Sequence, residues 1–448
     1  MKLEGFKENT KKKIIVISFT VLCLLLIAGV YLYTSYAFYE ETKNFNVING
    51  TVEDPGDLYF AYYVDGKISR TMPSKNTGYT LDTTKSSCDN GVTVDWDYSK
   101  WKANIYYENY SATDKTRTKC TLFFNKTAKT VKTALGNIEV NSYKPDLTKS
   151  ACDTSNCESH EKGIFETTDA DGTSYYYRGA VENNYLKFAG YFWRVVRING
   201  NGSIRIIYDG TSAHANGESS ADRQYGTSQF NTNYNNNMYV GYMYTSGEAH
   251  GTGTSSAIKT NADKFYTDKL SSYASKLDTN AGFCGDRSNL NQQSGVGTGT
   301  VITYNKGYLR VEESAPTLTC ENASDYYTVA SASSGNKKLS YPIGLITADE
   351  MMLAGHAGGV FDGSYNHMKS NNGSYLVTGN SFWTMTPAGG YNPFGYAYWT
   401  ANVFYVNASG TFDDTYVGYT GGLRPVVNLK SGVKITGSGT KTNPYVVS

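Results

Sequence analysis

A run of apolar residues near the N-terminus constrains this chain more than any other feature. Residues 14–33 are almost entirely apolar, and no charged residue follows them until Glu40. A helix of about 20 such residues crosses the hydrocarbon core of a bilayer. Lysines predominate over glutamates in residues 1–13, which by the positive-inside rule places that end in the cytoplasm. We therefore predict a cytoplasmic tail over 1–13, a transmembrane helix over 14–36 and export of the remainder.

A cleaved signal peptide is the alternative interpretation of the same segment. Ser35, Tyr36 and Ala37 offer the small-x-small pattern that signal peptidase cuts. The apolar run is longer than the core of roughly 7 to 15 residues that is usual in signal peptides. The predicted location is thus the plasma membrane, single-pass with the C-terminal part outside, or secretion after cleavage near Ala37.

The cysteines favour an oxidising compartment. The chain has 7 cysteines, of which Cys23 lies in the apolar run. The others are even in number, as expected of disulfides in an exported protein. Proximity along the chain favours three pairs: Cys88–Cys120, Cys152–Cys157 and Cys284–Cys320. His160 follows the second pair, but no clear fourth ligand accompanies it, so a small disulfide loop is favoured over a metal site.

The composition points away from nucleic acid and towards a neutral polar surface. The net charge is +1 and charged residues make up 18% of the chain, below the typical value of about 25%. The chain has 40 tyrosines, accompanied by many Asn, Ser, Thr and Gly residues. This combination is typical of antibody-like binding surfaces, although Tyr and Thr also favour β-strands.

The exported part is predicted to be mostly β and to begin with a small β-sandwich over 38–126. Residues 58–64 (LYFAYYV) are predicted to be a strand, and Asp65-Gly66 is a hairpin signal. Cys88–Cys120 would link strands of this module, with Trp96 or Trp101 in its core. Residues 127–162 are polar and are predicted to be a linker.

An α+β head is predicted over 163–448. Hairpin turns are indicated at 171–172 and 199–202. Apolar spacing over 258–277 predicts the main helix of the head. Thr347 and Glu350 have the spacing of a capping box and predict a second, short helix. The remainder is predicted to be β.

The most probable binding surface lies in a charge-poor aromatic window. Residues 370–423 contain only two charged side chains, Asp413 and Asp414. Trp383 and Phe404 are predicted to be core, whereas 389–396 is too rich in Gly, Pro and Asn for a strand and is predicted to be a loop. Aromatic rings beside neutral hydrogen-bonding groups suit sugar rings or a protein surface; the alternative is a loop packed by its own side chains. The predicted ligand-binding residues are Tyr391, Asn392, Phe394, Tyr396, Tyr398, Trp399, Asp413, Asp414 and Tyr416.

Signals for catalysis are weak. The 5 histidines show no spacing typical of a nucleophile's base or a metal site. Asp413-Asp414 would ligate calcium or lie at a turn, and the turn is favoured. Arg424 is predicted to make a structural bond, with Asp349 or Glu350 as candidate partners. The sequence therefore predicts no metal, no cofactor and no enzymatic activity.

Four motifs of the head carry a resemblance. They lie at 188–196 (FAGYFWRVV), 344–350 (GLITADE), 382–387 (FWTMTP) and 421–429 (GGLRPVVNL). In this order they resemble uncharacterised bacterial exported proteins with many paralogues. The C-terminal domain of those proteins is similar to the C-type lectin-like fold of formylglycine-generating enzymes and of the hypervariable receptors made by diversity-generating retroelements.

The resemblance implies a lectin-like scaffold with a variable loop surface between the Trp383 and Arg424 motifs. The Trp-Asn-Asp calcium signature of sugar-binding lectins is absent, which argues against calcium-dependent sugar binding. Cys284 and Cys320 do not match the cysteine pair of formylglycine-generating enzymes. The N-terminal part is similar to exported bacterial β-modules whose signal ends near a sequence like that of 36–38.

These observations predict a bacterial cell-surface protein that binds a ligand or mediates adhesion. Its partners would be an extracellular protein or glycan, and the membrane through residues 14–36, with no nucleic acid. The alternatives are an enzyme acting on the wall or the cell surface, and a structural component of a surface layer.

Overall fold

A computed structural model describes most of the chain from residue 58 onward. The described residues are 58–74, 79–97, 100–107, 118–126, 128–141, 144–148, 150–151, 162–233, 237–290, 303–330, 335–357, 374–391, 400–410 and 412–448. Among these residues, no helix combines the length and apolar character needed to cross a membrane. The predicted membrane span at 14–36 lies outside the described residues, as do Cys23, Cys152 and Cys157.

The fold is mostly β, as predicted, and divides into two compact units with a boundary between Lys126 and Thr127. The strands of the first unit are β1 (Leu58–Val64), β2 (Lys67–Ser69), β3 (Tyr79–Leu81), β4 (Ser87–Cys88), β5 (Thr93–Asp97), β6 (Lys102–Tyr106) and β7 (Thr118–Lys126). Strands β2, β1, β7 and β3 form a sheet in that order, with β4 also paired to β7, while β5 and β6 form a separate hairpin.

The core of the first unit is aromatic. Phe60 and Phe124 are buried on neighbouring strands, since β1 and β7 pair in parallel. Trp96 on the β5–β6 hairpin packs edge-on against Phe124, with ring centroids 5.1 Å apart. Cys88 and Cys120 lie directly opposite each other on β4 and β7 and form the predicted disulfide. The disulfide and the aromatic cluster therefore fix the same strands.

The second unit begins with a hairpin where a linker was predicted. Its strands, β8 (Ala128–Thr133) and β9 (Gly136–Asn141), pair with each other, and Val140 of β9 pairs with the next strand of the sheet. Ile138 and Val140 are buried on alternate positions. This alternation buries one face of β9 although the residues between are polar, so that part of the linker prediction is wrong.

The other strands of the second unit form two main sheets and two short pairs. They are β10 (Gly163–Asp169), β11 (Gly172–Arg178), β12 (Tyr185–Phe188), β13 (Tyr191–Ile198), β14 (Ile204–Gly210), β15 (Thr227–Gln229), β16 (Met243–Tyr244), β17 (Thr254–Ser255), β18 (Phe283–Cys284), β19 (Thr303–Tyr304), β20 (Tyr326–Tyr327), β21 (Ile343–Gly344), β22 (Phe382–Tyr391), β23 (Thr400–Val406), β24 (Phe412–Tyr416), β25 (Thr420–Gly422), β26 (Val426–Leu429), β27 (Ile435–Thr436) and β28 (Tyr445–Val447).

The first main sheet contains both the first and the last strand of the second unit. Its order is β21-β26-β14-β13-β11-β10-β9-β8, and β12 joins β13 to the C-terminal strand β28. The predicted turns at 171–172 and 199–202 connect β10 to β11 and β13 to β14. All of β14 is buried, as expected of a central strand covered on both faces.

The second main sheet has the order β15-β25-β22-β23-β24, with β19 paired to β22 on its other side. Trp383 on β22 and Phe404 on β23 are fully buried, as predicted. Cys284 and Cys320 form the second predicted disulfide, which closes a sequence separation of 36 residues.

Three α-helices are described: α1 (Ala257–Phe265), α2 (Lys306–Glu312) and α3 (Ala348–Leu353). The helix predicted over 258–277 is α1 continued by a π segment, Tyr266–Leu270, and a 3₁₀ segment, Ser271–Lys276. Short 3₁₀ turns also occupy Ala221–Arg223, Asn237–Val240 and Ala323–Asp325.

The capping box of α3 forms as predicted. Thr347 Oγ1 accepts from the Glu350 backbone N–H at 3.1 Å, and Glu350 Oε2 accepts from the Thr347 N–H at 3.0 Å. Glu350 also pairs with the buried guanidinium groups of Arg197 and Arg205. One carboxylate therefore caps the helix and neutralises charge in the sheet beneath it.

Arg424 is fully buried and structural, but its predicted partners are wrong. Its Nη2 lies 3.0 Å from Asp209 Oδ1, and its other nitrogens donate to the carbonyls of Tyr208 and Leu376. Asp209 also pairs with Arg223 at 2.9 Å. Arg424 precedes β26, which pairs with β14. Its carboxylate partner is therefore Asp209 of β14 and not a residue of α3.

Candidate functional site

The predicted ligand-binding residues fall into two groups. Asn392, Phe394, Tyr396, Tyr398 and Trp399 lie outside the described residues. Tyr391 is the last residue of β22, and its backbone pairs with Thr400 of β23. Asp413, Asp414 and Tyr416 lie on β24. The described part of the predicted surface therefore consists of Tyr391 at the end of β22 and of three residues on β24.

Strand β22 is longer than the sequence indicates. Gly389 and Gly390 were predicted to be loop, yet they pair with Asn402 and Ala401 on one side and with Tyr304 and Thr303 on the other. Backbone pairing on both edges outweighs the low strand propensity of glycine. The hairpin also contains irregular register between Trp383 and Gly389, and such bulges often re-aim side chains near functional sites.

Asp413 and Asp414 lie within a strand and not at a turn. They pair with Tyr405 and Phe404 of β23, and the turn precedes them at 407–410. Side chains of consecutive strand residues point to opposite faces. The two carboxylates therefore belong to different surfaces of the second sheet.

A row of four paired residues runs across one face of this sheet. Tyr304 of β19 is paired with Gly389, Gly389 with Asn402, and Asn402 with Tyr416 of β24. Residues paired in register share a face. Gly389 therefore separates Tyr304 from Asn402 in this row, and the α-carbons of those two residues are two strand spacings apart, or about 10 Å.

Aromatic rings pack together at the Tyr304 end of this row. Tyr308, on the first turns of α2, packs against Tyr304 at 4.8 Å and against Phe404 at 6.4 Å between ring centroids. Burial raises the pKa of both tyrosines, and the nearby charge of Asp414 raises them further. Asp414 therefore shares this face with the two tyrosine rings.

Asn402 and Asp414 supply the polar part of the same face. Asn402 Nδ2 donates to Asp414 Oδ2 at 2.8 Å. Asn402 is only 5% exposed. Its Oδ1 is buried and accepts no hydrogen bond. We call Tyr304, Tyr308, Gly389, Asn402 and Asp414 the β22 cluster.

The opposite face carries Asp413 and Tyr405, and two further tyrosines lie at the nearby edge of the sheet. Burial, and then the charge of Asp414, raise the pKa of Asp413 to about 7. Tyr405, opposite Asp413, packs edge-on against Tyr419 at 5.7 Å, and Tyr419 contacts Tyr416 at 6.0 Å. Tyr416 and Tyr419 are 42% and 43% exposed, so this edge of the sheet presents aromatic surface.

Two of the described histidines, His214 and His250, form ion pairs with carboxylates. His214 lies between the carboxylates of Glu218 and Asp222, at 2.9 and 2.8 Å. The hydrogen bond from His214 is the main cause that lowers the pKa of Glu218 to about 2. Ser212 Oγ lies 3.3 Å from His214 Nε2, but Asp222 occupies that nitrogen at shorter range. Within the described ranges, no three His, Cys, Asp or Glu side chains are placed to hold a metal ion.

Sequence reasoning missed Tyr304, Tyr308 and Asn402. Tyr304 and Tyr308 precede the aromatic window by many residues and reach it only because β19 pairs with β22. Asn402 was predicted to begin a strand without a functional role. The strand alternation of 402–406 was the one available signal, since it places Asn402 on the same face as Phe404.

Comparison of the chain with family models, with curated proteins and with solved structures finds no match in any of the three.

Proposed function

We propose that this chain is a bacterial cell-surface protein that binds an extracellular ligand, or mediates adhesion, through the second sheet of its larger unit. The observation that carries the proposal is the paired β22–β23 hairpin. Tyr391 and Thr400, which flank the predicted aromatic loop in sequence, are paired in this hairpin, and β23 pairs in turn with the edge strand β24. Binding residues concentrate on loops that a rigid scaffold positions.

Three further features support a binding role. Strands β22 and β23, which flank residues 392–399 in sequence, are anchored by Trp383 and Phe404, both fully buried. Tyr416 and Tyr419 are exposed together at its edge. The two disulfides fit an oxidising, extracellular compartment. A C-type lectin-like scaffold is proposed on the sequence motifs together with the pairing of the C-terminal strand β28 with β12 in the N-terminal part of the head.

Export is part of the proposal and has its own test. Protease added to intact cells should remove the C-terminal part and spare the segment 1–13. A C-terminal part that stays protected in intact cells, yet is cut after lysis, contradicts export.

The binding test uses the full chain on arrays of glycans and of purified extracellular proteins. Tyr416→Ala and Tyr419→Ala should each weaken the signal. Tyr106→Ala is the matched control, because Tyr106 is also 43% exposed but lies in the first unit. Signals that all three variants retain, or a chain that binds nothing on either array, would leave an enzyme or a structural surface component as the better explanation.

A further inference from the structure

We infer that the face of the second sheet around Asp413 binds a positively charged side chain, lysine or arginine, of an extracellular partner protein. This inference rests on the proposed function and names the class of chemical group that one part of that surface recognises. It uses the side chains of Asp413, Tyr405 and Tyr419 and does not depend on residues 392–399.

The three side chains are brought together by the register of the sheet. Asp413 of β24 lies opposite Tyr405 of β23, so their side chains share a face. Tyr419 packs edge-on against the ring of Tyr405, with ring centroids 5.7 Å apart. Tyr405 is buried, whereas Tyr419 is 43% exposed. A carboxylate and a solvent-accessible aromatic ring therefore flank the same buried tyrosine.

The carboxylate of Asp413 carries negative charge that no cation of the described residues offsets. The side chain is half-buried, and its Oδ1 accepts from the backbone N–H of Asp414 at 2.6 Å. The titratable groups that face it are Asp414 on its own strand and Tyr405 on β23. No lysine or arginine occurs between 370 and 423. Burial and the charge of Asp414 together raise the pKa of Asp413 to about 7.

An organic cation matches both parts of this face. A lysine ammonium or arginine guanidinium is attracted to the face of a tyrosine ring and forms a charge-assisted hydrogen bond with a carboxylate. A cation beside Asp413 would also offset the charge of Asp414 and favour the ionised form of Asp413, so that binding releases a proton. A neutral side chain would gain only the contact with the ring, and an acidic one would be repelled.

The test is saturation-transfer NMR on the full chain with the N-acetyl methylamides of arginine, lysine and citrulline, and with choline. Citrulline is the matched counterpart of arginine, because its side chain has nearly the same shape and no charge. At pH 8 the arginine or the lysine amide should bind at least about tenfold tighter than the citrulline amide.

Binding should also depend on pH through Asp413. With a pKa of about 7, about one-tenth of this carboxyl group is ionised at pH 6 and about nine-tenths at pH 8. Because the ionised form binds the cation, the affinity for the arginine amide should fall about tenfold from pH 8 to pH 6. Asp413→Asn should bind about tenfold more weakly at pH 8 and should lose this pH dependence.

Tyr419→Ala should weaken binding of the arginine amide at pH 8, because the exposed ring is lost. Tyr273→Ala and Glu248→Gln are the matched controls and should leave binding unchanged. Tyr273 is 39% exposed and Glu248 is exposed, and both belong to the same unit but lie outside the second sheet. Asp413→Asn keeps the shape of the side chain, so it serves where Tyr419→Ala fails to fold.

Equal binding of the arginine and citrulline amides, or full binding by Asp413→Asn, would overturn the inference. Binding of choline without binding of either basic amide would overturn the assignment to a protein side chain. A protein captured on the array through Tyr416 and Tyr419, while neither basic amide binds, would overturn the inference and keep the proposed function. No binding on the arrays and none of the amides would overturn both.

Discussion

Asn402 and Asp414 join β23 to β24 diagonally, through a hydrogen bond of 2.8 Å from Nδ2 to Oδ2. The direct cross-strand partners are different, since Asn402 lies opposite Tyr416 and Asp414 opposite Phe404. The bond therefore fixes the amide orientation independently of the strand ladder. It also links the edge strand β24 to β23 at the position of Asn402.

The energy of this bond is measurable by a double-mutant cycle. Asn402→Ala, Asp414→Ala and the double variant should show a coupling of about 1 to 2 kcal/mol in the free energy of unfolding, because bonds to charged acceptors contribute more than neutral ones. Urea unfolding of the four proteins gives the value. Additive effects would mean that the bond contributes nothing to stability.

A second prediction concerns Asp413 and pH. Its pKa is raised to about 7 in the folded protein, from about 3.9 in an unfolded chain. The folded state therefore favours the protonated form, so stability is highest below pH 4 for this group and falls as pH rises towards 7. Solvent screening at a partly exposed group limits the loss to about 2 kcal/mol.

Asp413→Asn removes that titration. The variant and the parent should melt alike at pH 4, and the variant should melt higher at pH 8. Melting curves across this range, followed by circular dichroism, decide the matter. Parallel curves for the two proteins at every pH would contradict a raised pKa at Asp413.

Local signals predicted the parts of the fold that depend on neighbours in sequence. The Asn-Gly turn between β13 and β14, the capping box of α3 and both described disulfides followed from residue type and spacing. The partner of Arg424 could not be predicted in this way. Asp209 reaches it only because β14 and β26 pair across the sheet.

The residues around Gly389 show the same limit of prediction from neighbours in sequence. The aromatic window was visible in the sequence, but its proximity to Tyr304 depends on the pairing of β19 with β22. Glycine has a low strand propensity, so 389–390 appeared to end the strand. Pairing on both edges keeps it extended, and long-range pairing of this kind leaves no mark on composition or periodicity.

The buried Asp209 site should be sensitive to the loss of one charge. Arg223 and Arg424 both lie within 3.0 Å of its Oδ1 and are fully buried. Asp209→Asn would leave two buried guanidinium groups without a counter-ion, at a cost of about 3 to 5 kcal/mol. Asp268→Asn is the control, since its pair with Lys264 is exposed and should leave urea unfolding unchanged. Equal effects of the two changes would contradict the assigned role of Asp209.

The disulfide Cys284–Cys320 should stabilise the larger unit. Replacing both cysteines with serine removes a cross-link over 36 residues, worth roughly 4 kcal/mol in the chain-entropy model. Peptide mass mapping without reductant should first recover Cys88–Cys120 and Cys284–Cys320 as linked pairs. Free thiols at these four positions, or unfolding unaffected by the double substitution, would reject the prediction.

The last prediction separates an aromatic binding loop from a packed one. Tyr391, Phe394, Tyr396, Tyr398 and Trp399 are each replaced by Ala. If they form a ligand surface, each variant should melt close to the parent, because side chains that meet the ligand contribute little to the folded core. The hot-spot positions should then lose at least about 2 kcal/mol of binding free energy.

Trp383→Ala is the matched control for Trp399→Ala. Trp383 is fully buried and its indole N–H donates to the Ser228 carbonyl, so its loss should cost about 3 to 5 kcal/mol of stability. Thermal melts of the five loop variants beside this control require no knowledge of the ligand. A loss in every loop variant as large as that of Trp383→Ala would show that the rings are core, and the proposed binding surface would then be reduced to the exposed pair Tyr416 and Tyr419.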